Sequence, residues 1–434
     1  MTKSKKALMK LTATMLTVVL CLCMTLPAFA NEEKADPVIG SEQNPAATAI
    51  TKALRMAIGA TTPDLTFTFD FEPLFVNEVS ATDVEGAAGY APPVPSVKVE
   101  FTAADTGVTE DGVKIVRKES ANPFVNIPWP HAGVYVYRVT ERDEGKQTLT
   151  DLENLYYSKA AYTITVYVAN GNDGLFVAAI GTRLELTDGD PAVDPGDKVD
   201  GRPGGNPAIS GDWSKVIFTN TFTKTTGTGD PDNSTLAISK HVRSHVGDMF
   251  DTANREQYFD FDVMVTRSAV NINPDQRYIA YVVTADGVVQ NISPNYTGTP
   301  GIHPTHGPYI EFTTGVPKTI RLKHGQWLSF VDLEIGAIYT ATERGVANFT
   351  PSYTHTVNGE PTTVTGMPNT DLTITTSLIT EGEDSVAFLN TYRQVTPVGV
   401  FVDNLPFVVL IGLGLAGIIL LATLKNRKRE EETC

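Results

Sequence analysis

Thr66-Phe67-Thr68-Phe69-Asp70-Phe71 alternates a polar residue with an aromatic ring at every step. In a strand, successive side chains point to opposite faces, so this hexapeptide has one apolar and one polar face. A helix would scatter the same rings around its axis. The period of two recurs at Val134-Tyr135-Val136-Tyr137, at Tyr162 to Val168, at Tyr258 to Val265 and at Ile338 to Thr342, in segments rich in β-branched and aromatic residues. The 35 glycines and 27 prolines punctuate these runs, and no long stretch of the body has a helical period. Short strands separated by such turns predict an all-β chain of sandwiches or barrels. At 434 residues it has room for two or three domains.

The ends read differently from the body. Lys3, Lys5, Lys6 and Lys10 precede an apolar run from Leu11 to Leu26, and Ala28-Phe29-Ala30 offers a small-x-small cleavage site. Residues 1–30 therefore read as a secretory signal peptide, with Asn31 the first mature residue. At the other end, the apolar stretch 405–424 is long enough for one bilayer crossing and is followed by the basic Lys425-Asn426-Arg427-Lys428-Arg429. A plain single-pass anchor is one reading. The other is a sorting signal over 394–434, because Thr396-Pro397-Val398-Gly399 stands just ahead of the span.

The formal charge is −16, and the signal contributes positive charge, so the body between the ends is more acidic still. Such a body repels phosphate backbones, which excludes nucleic acid as a partner. The three cysteines are Cys21, Cys23 and Cys434, so the body has no disulfide, no thiol nucleophile and no Cys-ligated zinc. A secreted chain without disulfides needs another source of stability.

A repeat supplies a candidate. Ile50-Thr51-Lys52 opens one copy and Ile238-Ser239-Lys240 the next. Tyr137-Arg138-Val139-Thr140-Glu141 matches Tyr339-Thr340-Ala341-Thr342-Glu343, and a Tyr-Thr-x-Thr-Val strand follows each, at Tyr162 and Tyr353. Phe218-Thr219-Asn220-Thr221-Phe222 closes the first copy and Phe388-Leu389-Asn390-Thr391-Tyr392 the second. The polar linker Thr225 to Asp232 separates them, placing domains at 46–226 and 233–393. The stretch Thr187 to Asp212, rich in Asp, Pro and Gly, reads as a long solvated acidic loop inside the first domain.

Strand parity puts Lys52 with Ile50 and Leu54, Glu141 with Tyr137 and Val139, and Asn220 with Phe218 and Phe222. In each copy an amine, a carboxyl and a carboxamide point where the hydrophobic side chains point. An unpaired buried polar group costs about 2–7 kcal/mol. Burial lowers a lysine pKa and raises that of a glutamate. A neutral amine is a nucleophile. A carboxylic acid can polarise the asparagine carbonyl and shuttle protons while the amine expels ammonia. The alternative is a buried Lys–Glu ion pair beside a hydrogen-bonded Asn, with no covalent chemistry. Two copies in the same order favour the covalent product, an isopeptide bond.

At these residues the chain resembles the streptococcal-type pilin isopeptide-linkage domain of sortase-assembled pili. The Ile-Thr-Lys opening, the Tyr-x-Val-Thr-Glu strand and the Phe-Thr-Asn closing strand carry the likeness, over Ala46–Phe222 and Ser234–Tyr392. The resemblance implies two tandem Ig-like β-sandwich domains. It implies that Lys52 and Asn220 are cross-linked under catalytic Glu141, and Lys240 and Asn390 under Glu343. The second copy departs at Ala341 and Leu389, where the first has Val and Thr. The C-terminal segment resembles Gram-positive cell-wall sorting signals, with one residue fewer between Pro and Gly and with Val398 where those have Thr.

The same resemblance implies a structural protein and no enzyme beyond its self-reaction: the shaft pilin of a pilus anchored to the cell wall on the bacterial surface. Its implied partners are a sortase, neighbouring subunits in a covalent homopolymer, peptidoglycan and a host surface ligand, with the membrane met only through the precursor's sorting helix. Lys215 is the candidate intersubunit acceptor, exposed by parity, with Lys198 and Lys224 as rivals. A monomeric wall-anchored adhesin built from the same domains is the alternative. No cofactor or metal is expected, since His303-Pro304-Thr305-His306 and the His241/His245 pair lack a third ligand.

Overall fold

A computed structural model gives the architecture. It describes residues 35–145, 147–188, 196–204, 212–244, 252–289 and 292–393, with positions 410, 413 and 416 beyond them. The signal peptide, the Thr396–Gly399 motif and nearly all of the apolar 405–424 stretch lie outside the described residues.

The described chain is nearly all β. Its first half contributes strands β1 (Thr51–Ala57), β2 (Leu65–Val76), β3 (Val97–Phe101), β4 (Val113–Glu119), β5 (Gly133–Glu141), β6 (Glu153–Tyr156), β7 (Ala161–Asn170) and β8 (Ile217–Lys224). One sheet runs β3-β2-β5-β7 and continues through Leu175–Leu186; the facing sheet runs β4-β1-β8-β6. The second half contributes β9 (Leu236–Ser244), β10 (Phe259–Thr266), β11 (Lys318–Leu322), β12 (Gln326–Phe330), β13 (Ile338–Glu343), β14 (Phe349–Val357), β15 (Leu372–Leu378) and β16 (Ser385–Tyr392). Its sheets run β11-β10-β13-β15 and β12-β9-β16-β14. Every strand of the first set thus has a counterpart in the second, in the same chain order and with the same neighbours. Two sandwiches share one plan.

The alternating segments form the inner faces. Phe67, Phe69, Tyr135, Tyr137 and Val139 are fully buried between the sheets of the first sandwich, as are Phe259, Phe261, Tyr339 and Ala341 in the second. Polar partners of the alternation face outward, so each strand repeats one polar and one apolar edge. β1 is an exception. It is central in its sheet, and Thr51 and Ala53 on its outer face are buried too, Thr51 donating to the Ser214 carbonyl.

One expected equivalence fails. The Tyr-Thr-x-Thr-Val strands at Tyr162 and Tyr353 are not counterparts: Tyr162 lies on β7, beside the glutamate strand β5, whereas Tyr353 lies on β14, beside the asparagine strand β16. The counterpart of β7 is β15, with Leu372-Thr373-Ile374-Thr375. Alternating Thr-rich strands share composition because their surroundings are alike, so local likeness misassigned the sheet.

In each sandwich the first and last strands, β1 and β8 or β9 and β16, lie side by side and parallel. The end of β8 leads into the junction between the sandwiches, where the Ile335 N–H donates to the Lys224 carbonyl and the Thr226 N–H to that of Leu333. The start of β16 faces the same junction, because Glu381 just before it binds both Thr61 and Lys224. The start of β8 and the end of β16 are therefore at opposite poles of the molecule.

Candidate functional site

Lys52 on β1 lies directly across from Phe218 on β8, and Asn220 lies one inward position further along. An offset of two keeps both side chains on the inner face. Glu141, at the end of β5 in the opposite sheet, meets them there. Its Oε2 is 2.8 Å from Lys52 Nζ and its Oε1 2.7 Å from Asn220 Nδ2. The Lys52 and Glu141 side chains are fully shut off from solvent. The Ser158 N–H donates to Asn220 Oδ1 at 2.7 Å.

The second sandwich repeats the register. Lys240 lies across from Phe388, and Asn390 across from Val242. Glu343 Oε1 alone takes both neighbours, Lys240 Nζ at 2.6 Å and Asn390 Nδ2 at 2.8 Å. Glu343 Oε2 and Asn390 Oδ1 are buried with no hydrogen-bond partner among the described residues. All six cross-link and catalytic candidates therefore fall into two triads, Lys and Asn on one sheet and Glu facing them.

Burial sets the protonation states. Desolvation brings Lys52 down from 10.5 to about 8, against the pull of Glu141, and brings Lys240 down to about 8, against Glu343. The same desolvation raises Glu141 and Glu343 above the ordinary carboxylate value, although each lysine and asparagine pulls the other way. Both shifts move the pair towards a neutral amine beside a neutral acid.

Several supporting residues do not stand out in the sequence. Lys52 Nζ sits 4.5 Å from the centre of the Phe67 ring, and Lys240 Nζ 4.3 Å from that of Phe259. Phe69 packs on Phe218 at 4.9 Å and Phe261 on Phe388 at 5.1 Å. These rings wall each triad from water. On the outer face, Arg142 forks onto Asp70 and Arg344 onto Asp262. The legible signal is the pair Phe67-Thr68-Phe69-Asp70 and Phe259-Asp260-Phe261-Asp262, each matched by a Glu-Arg dipeptide later in its own domain.

Among the acceptor lysines, Lys215 is exposed two residues ahead of β8, as parity predicts, and has no ion-pair partner among the described residues. Lys198 is half-buried on the short strand Lys198–Val199, whereas Lys224 is held by Glu381 at 3.0 Å and Glu153 at 3.5 Å in the junction. His303 and His306 stack at 4.8 Å, and His303 Nδ1 accepts from two backbone N–H groups of its own turn.

Residues 48–223 match the family model described as the Spy0128-like isopeptide containing domain. Residues 234–392 match a separate model, a domain of unknown function, DUF7601. No curated protein matches the chain. Among solved structures, the major pilin of Streptococcus pyogenes is 20% identical, with 80% of this chain and 99% of that chain covered and a TM-score of 0.29. The T-13 major pilin of the same organism is 18% identical, with 83% and 100% covered and a TM-score of 0.29. A pilus-presented adhesin, Spy0125, is 11% identical, with 80% and 99% covered and a TM-score of 0.24. Superpositions this loose carry nothing about the site.

Proposed function

We propose that this chain, whose residues 48–223 match the Spy0128-like isopeptide containing domain, is a streptococcal-type pilin and the shaft subunit of a sortase-assembled pilus. Each sandwich would seal itself with a Lys–Asn isopeptide bond. The observation that carries the proposal is the duplicated triad, with the same two-residue offset and the same facing glutamate in two sandwiches.

The geometry suits the reaction. The neutral Lys52 amine attacks Asn220 Cγ, and the developing oxyanion faces the Ser158 N–H. Once the carbon is tetrahedral, its amide nitrogen becomes basic. Glu141, as the acid, gives that nitrogen a proton from Oε1 while Oε2 takes one from the attacking nitrogen. The Cγ–Nδ2 bond breaks, ammonia leaves and the acid is regenerated. The sequence suggests an acid that polarises the asparagine carbonyl; Glu141 instead bridges the attacking and leaving nitrogens. Holding the groups together can lower the barrier by about 7–11 kcal/mol.

A bond between the first and last strands ties together the two strands at which each sandwich is entered and left. Tension along a fibre would load that tie directly. The opposite poles support head-to-tail assembly: Lys215 stands at one, and β16, which Thr396-Pro397-Val398-Gly399 follows in sequence, ends at the other. A sortase would cut that motif, join the new carboxyl to Lys215 of the next copy, and fix the final subunit to peptidoglycan. Boiled wall extracts should show a covalent ladder that collapses in Lys215→Ala. A single band in the wild type would support an anchored monomeric adhesin instead.

A further inference from the structure

The two triads differ at the carbonyl. Thr221 lies opposite Tyr156, and Thr391 opposite Thr350, so Ser158 and Ser352 hold corresponding places beside Asn220 and Asn390. β14 runs on to Val357, and Ser352 stays within its pairing with β16. β6 stops at Tyr156, and the chain crosses through Tyr157–Ala160 to β7 in the other sheet. That crossing frees the Ser158 N–H to turn inward onto Asn220 Oδ1, at 2.7 Å. The residue opposite Asn390 is Pro351, which has no N–H to give.

Asp188 holds the crossing in place. Its Oδ1 accepts from the Lys159 N–H at 2.6 Å and the Ala160 N–H at 3.0 Å. Both its oxygens receive the Ser158 hydroxyl, at 2.8 and 2.7 Å. Its Oδ2 also accepts from the Thr219 N–H at 3.2 Å, on the strand carrying Asn220. One carboxylate thus pins the donor segment to the acceptor strand.

We propose that the Ser158 N–H is the oxyanion donor for cross-linking in the first sandwich and that Asp188 is its positioning residue. This rests on the isopeptide reading above. It predicts that the first bond closes before the second, whose carbonyl has no such donor among the described residues.

The test uses newly translated full chain, sampled over time into acidic denaturant and digested. Mass spectrometry then quantifies the linked Lys52–Asn220 and Lys240–Asn390 peptides. Ser158→Pro removes the donor and should slow the first link by about 100-fold or more. Asp188→Asn loosens the crossing and should slow it by roughly tenfold, a part of the full donor effect. The second link, in the same molecules, should keep its rate. Ser158→Ala keeps the N–H and should stay near wild type, and Asp188→Glu should recover most of the rate. Hydrogen exchange on β5 shows whether each variant is folded; should Ser158→Pro unfold, the other three variants decide the matter. Wild-type rates in Asp188→Asn and Ser158→Pro, with Glu141→Ala blocked, would overturn the proposal and leave the isopeptide reading standing. A wild-type chain with neither link would overturn both.

Discussion

The two triads hold the same three residues in the same register, yet they hold the reacting amide differently. Glu141 uses one oxygen for the amine and the other for the amide nitrogen, and a backbone N–H meets the carbonyl. Glu343 serves both nitrogens from one oxygen, leaving its other oxygen and the Asn390 carbonyl unpartnered among the described residues. The cause is topological. A short crossing passes over Asn220, whereas the chain between β14 and β15 makes the extra strand Glu360–Thr365 and stays clear of Asn390. A shared framework brings amine, acid and amide together; the local connection decides how well the amide is polarised.

The largest expected effect separates the two sites completely. Glu141→Ala should abolish the first link and leave the second, and Glu343→Ala should do the reverse, as read by peptide mass mapping. A first link that survives in Glu141→Ala would remove the proton shuttle from the account.

Next is stability. Asn220→Ala leaves the first sandwich uncross-linked and should cost it roughly 5 kcal/mol, the chain-entropy value for so long a closed loop. Asn390→Ala should cost the second about as much. Denaturant unfolding with domain-resolved hydrogen exchange measures both. A much smaller loss for Asn390→Ala would show that the second bond forms incompletely.

The pH response is smaller and has a definite sign. In the uncross-linked Asn220→Ala protein, folded Glu141 titrates above its ordinary 4.5, so the folded state binds more protons and stability falls as pH rises past 4.5. Folded Lys52 titrates near 8 rather than 10.5, so the unfolded state binds more protons between those values and stability recovers there. Denaturation midpoints across this range should trace a trough. A flat profile would mean that the pair is not buried as described.

The smallest effect is expected at the surface. Arg142→Ala and Arg344→Ala remove matching exposed forks next to the two glutamates. Exposed pairs contribute little, so both links should still form at wild-type rates. Slowing in either variant would assign the fork a part in aiming its glutamate.

Much of this is legible because the period of two is a property of residues taken in order. Parity alone places Lys52, Glu141 and Asn220 inward, and repetition pairs them with Lys240, Glu343 and Asn390. Parity cannot say which sheet a strand joins, so it matches Tyr353 to Tyr162 although the two lie in non-equivalent sheets. Nor can it show backbone donors. Ser158 is an ordinary loop serine in sequence, and only the crossing between sheets aims its N–H at Asn220. Asp188 belongs in sequence to a solvated acidic loop, and its side chain is indeed exposed. Its role comes from four backbone and hydroxyl donors brought together by folding.

The most direct measurement is the intact mass of the purified chain. Two sealed sandwiches must weigh less than the sequence by two ammonia molecules, with one regained in Glu141→Ala. A mass equal to that of the uncross-linked sequence would contradict the account, leaving Lys52 and Lys240 as plain buried ion-pair partners.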